Sequence, residues 1–131
     1  MNLLLDTCSL IWLYSDPTKL SPRAVQILQD RANVVWLSTV SVWEIVVKNQ
    51  IGKLPLTDDI EQIVEEQIRV NFVQLLPVEL RHVLAGRLLP PPATSHGDPF
   101  DRLLISQATA DQLTIVTPDH MFRKYNIAIE W

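Results

Sequence analysis

The sequence predicts an α/β fold in which helices cover both faces of a mostly parallel sheet. Short apolar and β-branched runs alternate with longer segments in which apolar residues recur at helical spacing. Many boundaries between these segments carry a Ser, Asp or Pro of the kind that starts or ends a helix. No repeat or low-complexity tract interrupts the alternation, so we expect a single domain over residues 1–131.

Composition narrows the class of protein. Hydrophobic residues make up 47% of the chain, which suits a packed core and not a disordered segment. The single cysteine, Cys8, excludes an internal disulfide and a cysteine-based zinc cluster. No apolar run approaches the roughly 18 residues of a membrane span and no basic leader is visible, so we expect a cytoplasmic protein. The net charge of −4 argues against a protein that coats nucleic acid by charge alone.

The first elements are a strand and two helices. The apolar run 2–5 predicts a buried strand, and Asp6 or Thr7 can cap the helix that follows it. Asp16-Pro17 ends that helix, and Ser21-Pro22 starts the next one with an N-cap and a first-turn proline.

A second strand–helix unit follows at the middle of the chain. The β-branched run 34–38 predicts a strand that passes directly into a helix over 39–50. Ser41 and Glu44 have the spacing of a capping box at its start, and Gly52 marks its end.

The remaining segments continue the alternation. We expect an acidic helix over 58–70, a short strand over 72–76 and a helix over 77–89. Four apolar residues of this last helix have the spacing of a core-facing stripe: Leu80, Val83, Leu84 and Leu88. The final elements are a helix from Asp98 to about Gln112, a strand over 113–117, a helical turn over 120–124 and an edge strand over 127–129.

The stretch Asp98-Pro99-Phe100-Asp101-Arg102 opens the helix before the fourth strand. Asp98 suits the N-cap and Pro99 the first helical position, which places Asp101 one turn from Asp98 on the same face. Carboxylates stay ionised near a helix N-terminus, and a hard divalent cation prefers such oxygen ligands. Acids at these positions are equally ordinary helix-start chemistry, so this stretch alone leaves a metal site and a simple cap as even alternatives.

Acidic residues from four separate segments are predicted to meet at one edge of the sheet. Ligands of such sheets gather beyond the carboxyl ends of the strands, where Asp6 follows the first strand and Asp119 the fourth. Glu44 lies one turn into the helix after the second strand, and Asp98 and Asp101 start the helix before the fourth. Helix capping explains any one of these acids but not their joint placement. Carboxylates in a shared pocket repel one another unless a cation compensates them, which predicts bound Mg²⁺ or Mn²⁺.

These segments resemble the motifs of the PIN domain, in particular those of the VapC-like ribonuclease toxins of bacterial toxin–antitoxin pairs. The motifs are Leu4-Leu5-Asp6-Thr7, Val42-Trp43-Glu44-Ile45, His96-Gly97-Asp98-Pro99-Phe100-Asp101-Arg102 and Thr117-Pro118-Asp119-His120-Met121-Phe122. The resemblance runs from Leu3 to Trp131. It implies a three-layer α/β/α fold, Mg²⁺- or Mn²⁺-dependent endoribonuclease activity, a homodimer, and a cognate VapB-like antitoxin that blocks the site.

The resemblance also implies roles for individual residues. By position, the acidic set of the family corresponds to Asp6, Glu44, Asp101 and Asp119, and Asp98 is an additional acid. We expect all five to be catalytic and to bind the metal. Thr7 or Ser9 would assist the first Asp, with Thr7 also placed at the substrate. Arg102 suits a phosphate contact and a pairing with a neighbouring acid equally well. We expect Cys8 to be a small buried residue and not a nucleophile, because no local base accompanies it.

Several other residues can be interpreted in two ways. Lys48, Lys53, Arg123 and Lys124 suit an RNA path, although solvated surface is the more ordinary role of such residues. The histidines lack metal-ligand spacing, so we expect His96 near the pocket and His82 and His120 at the surface or in packing. The four tryptophans are expected to serve core or dimer packing more than base stacking.

Two rival functions remain open at this point. A strand-end Asp also serves as the nucleophile of haloacid-dehalogenase-like phosphatases, but their motif needs a second Asp where this chain has Cys8. A non-catalytic, acid-lined module that binds RNA or a protein is disfavoured, because carboxylates gathered without a metal are costly. RNA cleavage with and without Mg²⁺ separates all three functions.

Overall fold

A computed structural model describes residues 1–92 and 97–131 and confirms the predicted α/β class; His96 lies outside the described residues. In this part of the chain, five parallel strands lie in the order β3-β2-β1-β4-β5. The strands are β1 Asn2–Leu5, β2 Val34–Ser38, β3 Gln74–Leu76, β4 Thr114–Val116 and β5 Ile129–Glu130. The α-helices are α1 Thr7–Ser15, α2 Pro22–Gln29, α3 Thr39–Gln50, α4 Ile60–Asn71, α5 Leu80–Ala85 and α6 Pro99–Asp111.

The central strand β1 explains the three-layer arrangement. Its leucines alternate between the two faces of the sheet, and all three are fully buried. Leu3 and Leu5 join a core cluster with residues of α1, α2 and α3, whereas Leu4 joins a second cluster with residues of α6. β1 pairs with β2 on one side and β4 on the other, so the ends of these three strands meet at one edge.

Side-chain caps start the helices near where the sequence places them, with one exception. Asp6 accepts a hydrogen bond from the backbone N–H of Ser9, and Ser21 does the same for Ala24. The predicted Ser41–Glu44 capping box is wrong, because the N-cap of α3 is Ser38, the last residue of β2. The strand runs into the helix without a loop, which makes its terminal residue the cap.

The predicted helix over 77–89 is shorter than expected. α5 covers Leu80–Ala85 and continues as a 3-10 turn over Gly86–Leu88. Its buried face carries His82, which is fully buried and bonds Asp111 of α6 at 2.8 Å. The four apolar residues expected in the core are instead 41–73% exposed; they form the surface that we call the α5 patch, consisting of Leu80, Val83, Leu84 and Leu88. The inward position goes to His82 because Asp111 satisfies its polar ring.

None of the described helices is both long enough and apolar enough to cross a membrane.

Candidate active site

The predicted acids line one cleft at the carboxyl edge of the sheet. Its volume is about 490 Å³. Five carboxyl side chains from four segments line it: Asp6, Glu44, Asp98, Asp101 and Asp119. The cleft thus brings together the whole acidic set that the sequence indicated, at the ends of the neighbouring strands β1, β2 and β4.

Asp6 is the most completely anchored of these acids. It is 4% exposed; one carboxylate oxygen accepts from Ser9 N–H at 2.7 Å, the other from Thr117 Oγ1 at 2.6 Å. Burial raises the pKa of Asp6 despite these bonds, and the negative charge of Asp119 adds to the effect. Thr117 Oγ1 also accepts from the backbone N–H of Asp119 at 3.0 Å, so a single hydroxyl links the two strand-end acids.

Thr117 was not singled out from the sequence. Its position one residue beyond β4, beside the end of β1, is the signal that identifies it once the strand order is known. Ser9, one of the candidates for assisting Asp6, does so through its backbone N–H, while its hydroxyl donates to the Val116 carbonyl at 2.8 Å.

Glu44 is held from two sides. It is 3% exposed, and Thr7 Oγ1 donates to its Oε1 at 2.6 Å. Lys48, one helical turn later, forms an ion pair with its Oε2. Thr7 is itself buried, so the structure places it as a support for Glu44. Lys48 and Lys53 both line the cleft. The ion pair was not predicted, although the i, i+4 spacing of Glu44 and Lys48 is a sequence signal that could have indicated it.

The start of α6 matches the expected geometry. Asp98 is the N-cap, and its Oδ1 accepts from the backbone N–H of Asp101 at 3.0 Å. The pKa of Asp101 is raised to about 7, first by burial and then by the negative charges of neighbouring acids, chiefly Asp98 and Glu44. The negative charges of these neighbours disfavour the ionisation of Asp101. Such repulsion is expected between carboxylates that share one pocket.

Arg102 and Cys8 are the other two residues that the sequence placed near the acids. Arg102 is half-buried and donates from Nη1 to the Tyr125 hydroxyl at 3.2 Å, and it is not among the described residues that line the cleft. Cys8 lines the cleft and is half-buried. Burial, with Asp6 and Asp119, raises the pKa of the Cys8 thiol to about 11. The thiol therefore stays protonated at neutral pH, which fits the prediction that Cys8 is not a nucleophile.

Trp12 is one of the tryptophans for which packing was favoured over base stacking. Trp12 lines the cleft, and its ring lies against that of Trp131 with centroids 5.8 Å apart. The remaining histidines follow expectation, since His82 packs inside and His120 is exposed.

The donor set fits a hard divalent cation. Oxygen ligands predominate, and burial together with the negative charges of neighbouring acids raises the pKa values of Asp6 and Asp101. Among residues 1–92 and 97–131, however, no three acidic, histidine or cysteine side chains are already arranged around one ion position.

Comparisons with known proteins agree with this architecture. The PIN domain model matches residues 3–128 of the chain. A search of curated proteins gave no match.

Solved structures show the same fold at low identity. DNA-bound VapBC from Salmonella typhimurium matches with a TM-score of 0.73 and 16% identity, covering 99% of this chain and 97% of that chain. VapBC2 from Rickettsia felis, bound to a DNA fragment from their promoter, matches with a TM-score of 0.72 and 14% identity over 99% and 98%. VapBC-5 from Mycobacterium tuberculosis, of the VapBC family of toxin–antitoxin systems, matches with a TM-score of 0.60 and 17% identity over 98% and 95%.

Proposed function

Because the chain belongs to the PIN-domain family, we propose that it is a metal-dependent endoribonuclease that hydrolyses phosphodiester bonds of RNA. The observation that supports this most is the cleft itself, in which five carboxyl groups from four segments face one another. Helix capping accounts for Asp6, Asp98 and Asp119 one at a time, but it does not account for their sharing one cavity with Glu44 and Asp101.

The proposed cofactor is Mg²⁺ or Mn²⁺. Asp6, Asp101 and Asp119 would hold the ion, directly or through water, with Glu44 and Asp98 completing the acidic wall. Such an ion supplies positive charge to a phosphodiester under attack and lowers the pKa of nearby water. It would also offset the cost of keeping the buried Asp6 and the half-buried Asp101 ionised together.

The chain's own residues prepare the site before substrate arrives. Ser9 and Thr117 fix both oxygens of Asp6, so this carboxylate does not need to be oriented when the reaction begins. Thr7 fixes Glu44 in the same way from the first turn of α1. These hydroxyl and backbone donors favour the ionised carboxylates, which are the forms that a cation requires.

RNA cleavage by the purified protein tests this function. A labelled RNA pool is incubated with Mg²⁺, with Mn²⁺ and with excess EDTA, beside a DNA pool of the same length and p-nitrophenyl phosphate. We expect internal cleavage of RNA that requires the divalent ion. Full activity in excess chelator contradicts the metal mechanism, release of p-nitrophenol favours a phosphatase, and RNA binding without cleavage favours a non-catalytic module.

The proposed biological role is that of a toxin in a toxin–antitoxin pair. VapBC complexes are among the solved structures with this fold. In the cleft, five acids face two lysines, an excess of negative charge that suits a basic side chain of a small VapB-like antitoxin. An Arg there would bind carboxylates bidentately and take the position of the cation. A cognate partner that binds tightly but leaves RNA cleavage unchanged would contradict this mode of inhibition.

We further propose that the protein is a homodimer in which the α5 patch is the contact. The stretch carries two arginines. Arg81 bonds both carboxylate oxygens of Asp111 at 3.0 Å and pairs with Glu79, and Arg87 donates from Nε to the Leu84 carbonyl at 2.9 Å. The four apolar side chains of the patch are complementary to their own copies, as a two-fold contact between identical chains requires.

A further inference from the structure

Lys48 brings a positive charge into the acidic cleft from within the chain. It lies one turn after Glu44 on α3, lines the cleft and pairs with Oε2 of that acid. The two partners differ in exposure: the Glu44 side chain is 5% exposed and the Lys48 side chain 40%. The ion pair therefore joins a fixed, buried acid to a flexible base at the rim.

Lys48 interacts electrostatically with more acids than just its ion-pair partner, Glu44. The bond to Glu44 raises the pKa of the Lys48 ammonium against the effect of burial, and the charges of Glu44, Asp98 and Asp101 add to the rise. Asp98 and Asp101 lie at the start of α6, a different segment of the cleft lining from α3. Lys48 thus interacts with acids from two segments of the cleft, and not only with the neighbour on its own helix.

The second carboxylate oxygen of Glu44, Oε1, is also bonded, and this bond shows which partner of the ion pair can move. Thr7 Oγ1 holds Oε1 of Glu44 at 2.6 Å, and this hydroxyl is on the buried first turn of α1. Glu44 therefore stays in place when its ion pair opens. The ammonium of Lys48 sits on a four-carbon stem with rotatable bonds and can redirect its donors to another anion within reach.

We propose that Lys48 is a substrate-binding residue whose ammonium rests on Glu44 in the metal-free cleft and moves to an RNA phosphate once a divalent ion has entered. This rests on the proposed metal-dependent nuclease function. An ion among the acids weakens the attraction between Glu44 and Lys48, and the phosphate offers the displaced ammonium a new anion. Lys48 thereby competes with the ion for the acids and cooperates with it in holding RNA.

The first test measures ion binding without RNA. The Mn²⁺ affinity of the wild-type protein, Lys48→Met, Lys48→Arg and Arg69→Met is determined by calorimetry. Arg69→Met is the control, since it removes a positive charge from the exposed last turn of α4. Lys48→Met should bind Mn²⁺ about three- to fivefold more tightly, the range that a partly exposed ion pair allows. Lys48→Arg and Arg69→Met should bind like the wild type.

The second test measures the phosphate contact. A fluorescein-labelled RNA oligonucleotide is titrated in Ca²⁺ at several salt concentrations, with gels to confirm that the RNA stays intact. Losing one contact to a single strand lowers the slope of log affinity against log salt by about 0.7. We expect this loss for Lys48→Met, recovery in Lys48→Arg and no change in Arg69→Met.

The outcomes separate this inference from the function on which it rests. If the wild type cleaves RNA with Mg²⁺ while Lys48→Met keeps wild-type Mn²⁺ affinity and salt slope, the role of Lys48 is wrong and the nuclease function stands. If the wild type neither binds Mn²⁺ nor cleaves RNA, both proposals are overturned. Thermal melts of the variants accompany each measurement, and a folded Lys48→Met that shows both expected changes supports the proposal.

Discussion

At the scale of single residues, the acids of the cleft differ in the interactions that they already make within the protein. Asp98 uses one carboxylate oxygen as the N-cap of α6, where it accepts from the Asp101 N–H. Asp101 lies at the third position of the same helix and carries the raised pKa of a carboxyl group surrounded by other acids. Replacing each acid with Asn, which preserves an N-cap, should therefore distinguish an acid that caps the helix from one that binds the ion.

Asp101→Asn should lose most of the metal-supported RNA cleavage, roughly 100-fold or more, because it removes a charge that the ion requires. Asp98→Asn should lose only about tenfold, as for a residue that orients a ligand, and should keep its stability because Asn is an equally good N-cap. Cleavage rates across a Mg²⁺ titration, with thermal melts as the control for folding, check both values. A dead Asp98→Asn beside an active Asp101→Asn would mean that the two roles are reversed.

The pKa of Asp101 also predicts how stability depends on pH. Its folded pKa of about 7 lies above the unfolded value of about 3.9, so the folded state holds this proton more tightly. The resulting stabilisation is complete below about pH 4 and is lost as the pH rises through about 7. In EDTA, the Tm should fall between pH 5 and pH 8, and Asp101→Asn should reduce that fall by roughly 3 °C or more, the effect of about 1 kcal/mol in a domain of this size.

Asp59→Asn is the matched control for this experiment, since Asp59 is the exposed N-cap of α4 and Asn preserves a cap. It should melt like the wild type at each pH. Mn²⁺ should raise the Tm more at pH 8 than at pH 5, because the ion needs the ionised carboxylates. Equal pH profiles for the wild type and Asp101→Asn in EDTA would show that Asp101 is not the titrating group.

At the scale of elements, one buried polar chain connects the helices that carry the acids. Ser38, the N-cap of α3, donates its hydroxyl to Gln107 Oε1 of α6. Gln107 Nε2 lies 3.5 Å from both the Pro77 carbonyl and the His82 ring of α5. Ser38, Gln107 and His82 are all fully buried, so the chain fixes α3, α5 and α6 against one another inside the protein.

Gln107→Leu should lower the free energy of unfolding by about 1–3 kcal/mol, because it leaves the buried Ser38 hydroxyl without its acceptor at similar side-chain volume. Gln62→Leu, an exposed Gln-to-Leu change on α4, should stay within about 0.5 kcal/mol of the wild type. Urea unfolding of the two variants measures the difference. Equal midpoints would show that the bond between Ser38 and Gln107 adds nothing to stability.

Sequence patterns predict the elements whose signals are local, and they miss what depends on long-range polar contacts. Caps such as Asp6 and Asp98 stand beside the helices that they start, so the beginnings of α1 and α6 follow from the sequence. The orientation of α5 does not, because it depends on His82 meeting Asp111, 29 residues later. Thr117 becomes a partner of Asp6 only when β1 and β4 are known to be neighbours.

The residues of the cleft also divide into those whose positions the sequence predicts and those whose contacts it leaves open. The sequence places five acids at the carboxyl edge of the sheet, because strand ends and helix starts are readable from the chain. It leaves Arg102 open between a phosphate contact and an internal ion pair. The resemblance implies Thr7 or Ser9 as the partner of Asp6, with Thr7 also at the substrate. The structure gives Arg102 and Thr7 internal partners, Tyr125 and Glu44 respectively.

At the scale of the whole molecule, the polar cleft and the apolar α5 patch are separate surfaces. The cleft is lined by residues of α1, α3 and the start of α6, and no residue of the α5 patch belongs to its described lining. Residues of the patch are 41–73% exposed. Exposing so many large apolar side chains close together to water has an unusual cost in free energy. Dimer formation through the patch would remove this cost and leave the cleft of each protomer open to RNA.

Val83→Lys should convert the proposed dimer to a monomer, because a two-fold contact places each new charge opposite or near its own copy in an apolar surface. The Val83 side chain is 54% exposed within one chain, so the fold should survive. Val70→Lys is the matched control, with a 46% exposed valine on α4, outside the patch. Light scattering at about 50 µM, a concentration at which a micromolar dimer is mostly associated, should give twice the 15.0 kDa chain mass for the wild type and Val70→Lys. A monomeric wild type, or a dimeric Val83→Lys, would show that the α5 patch is not the contact.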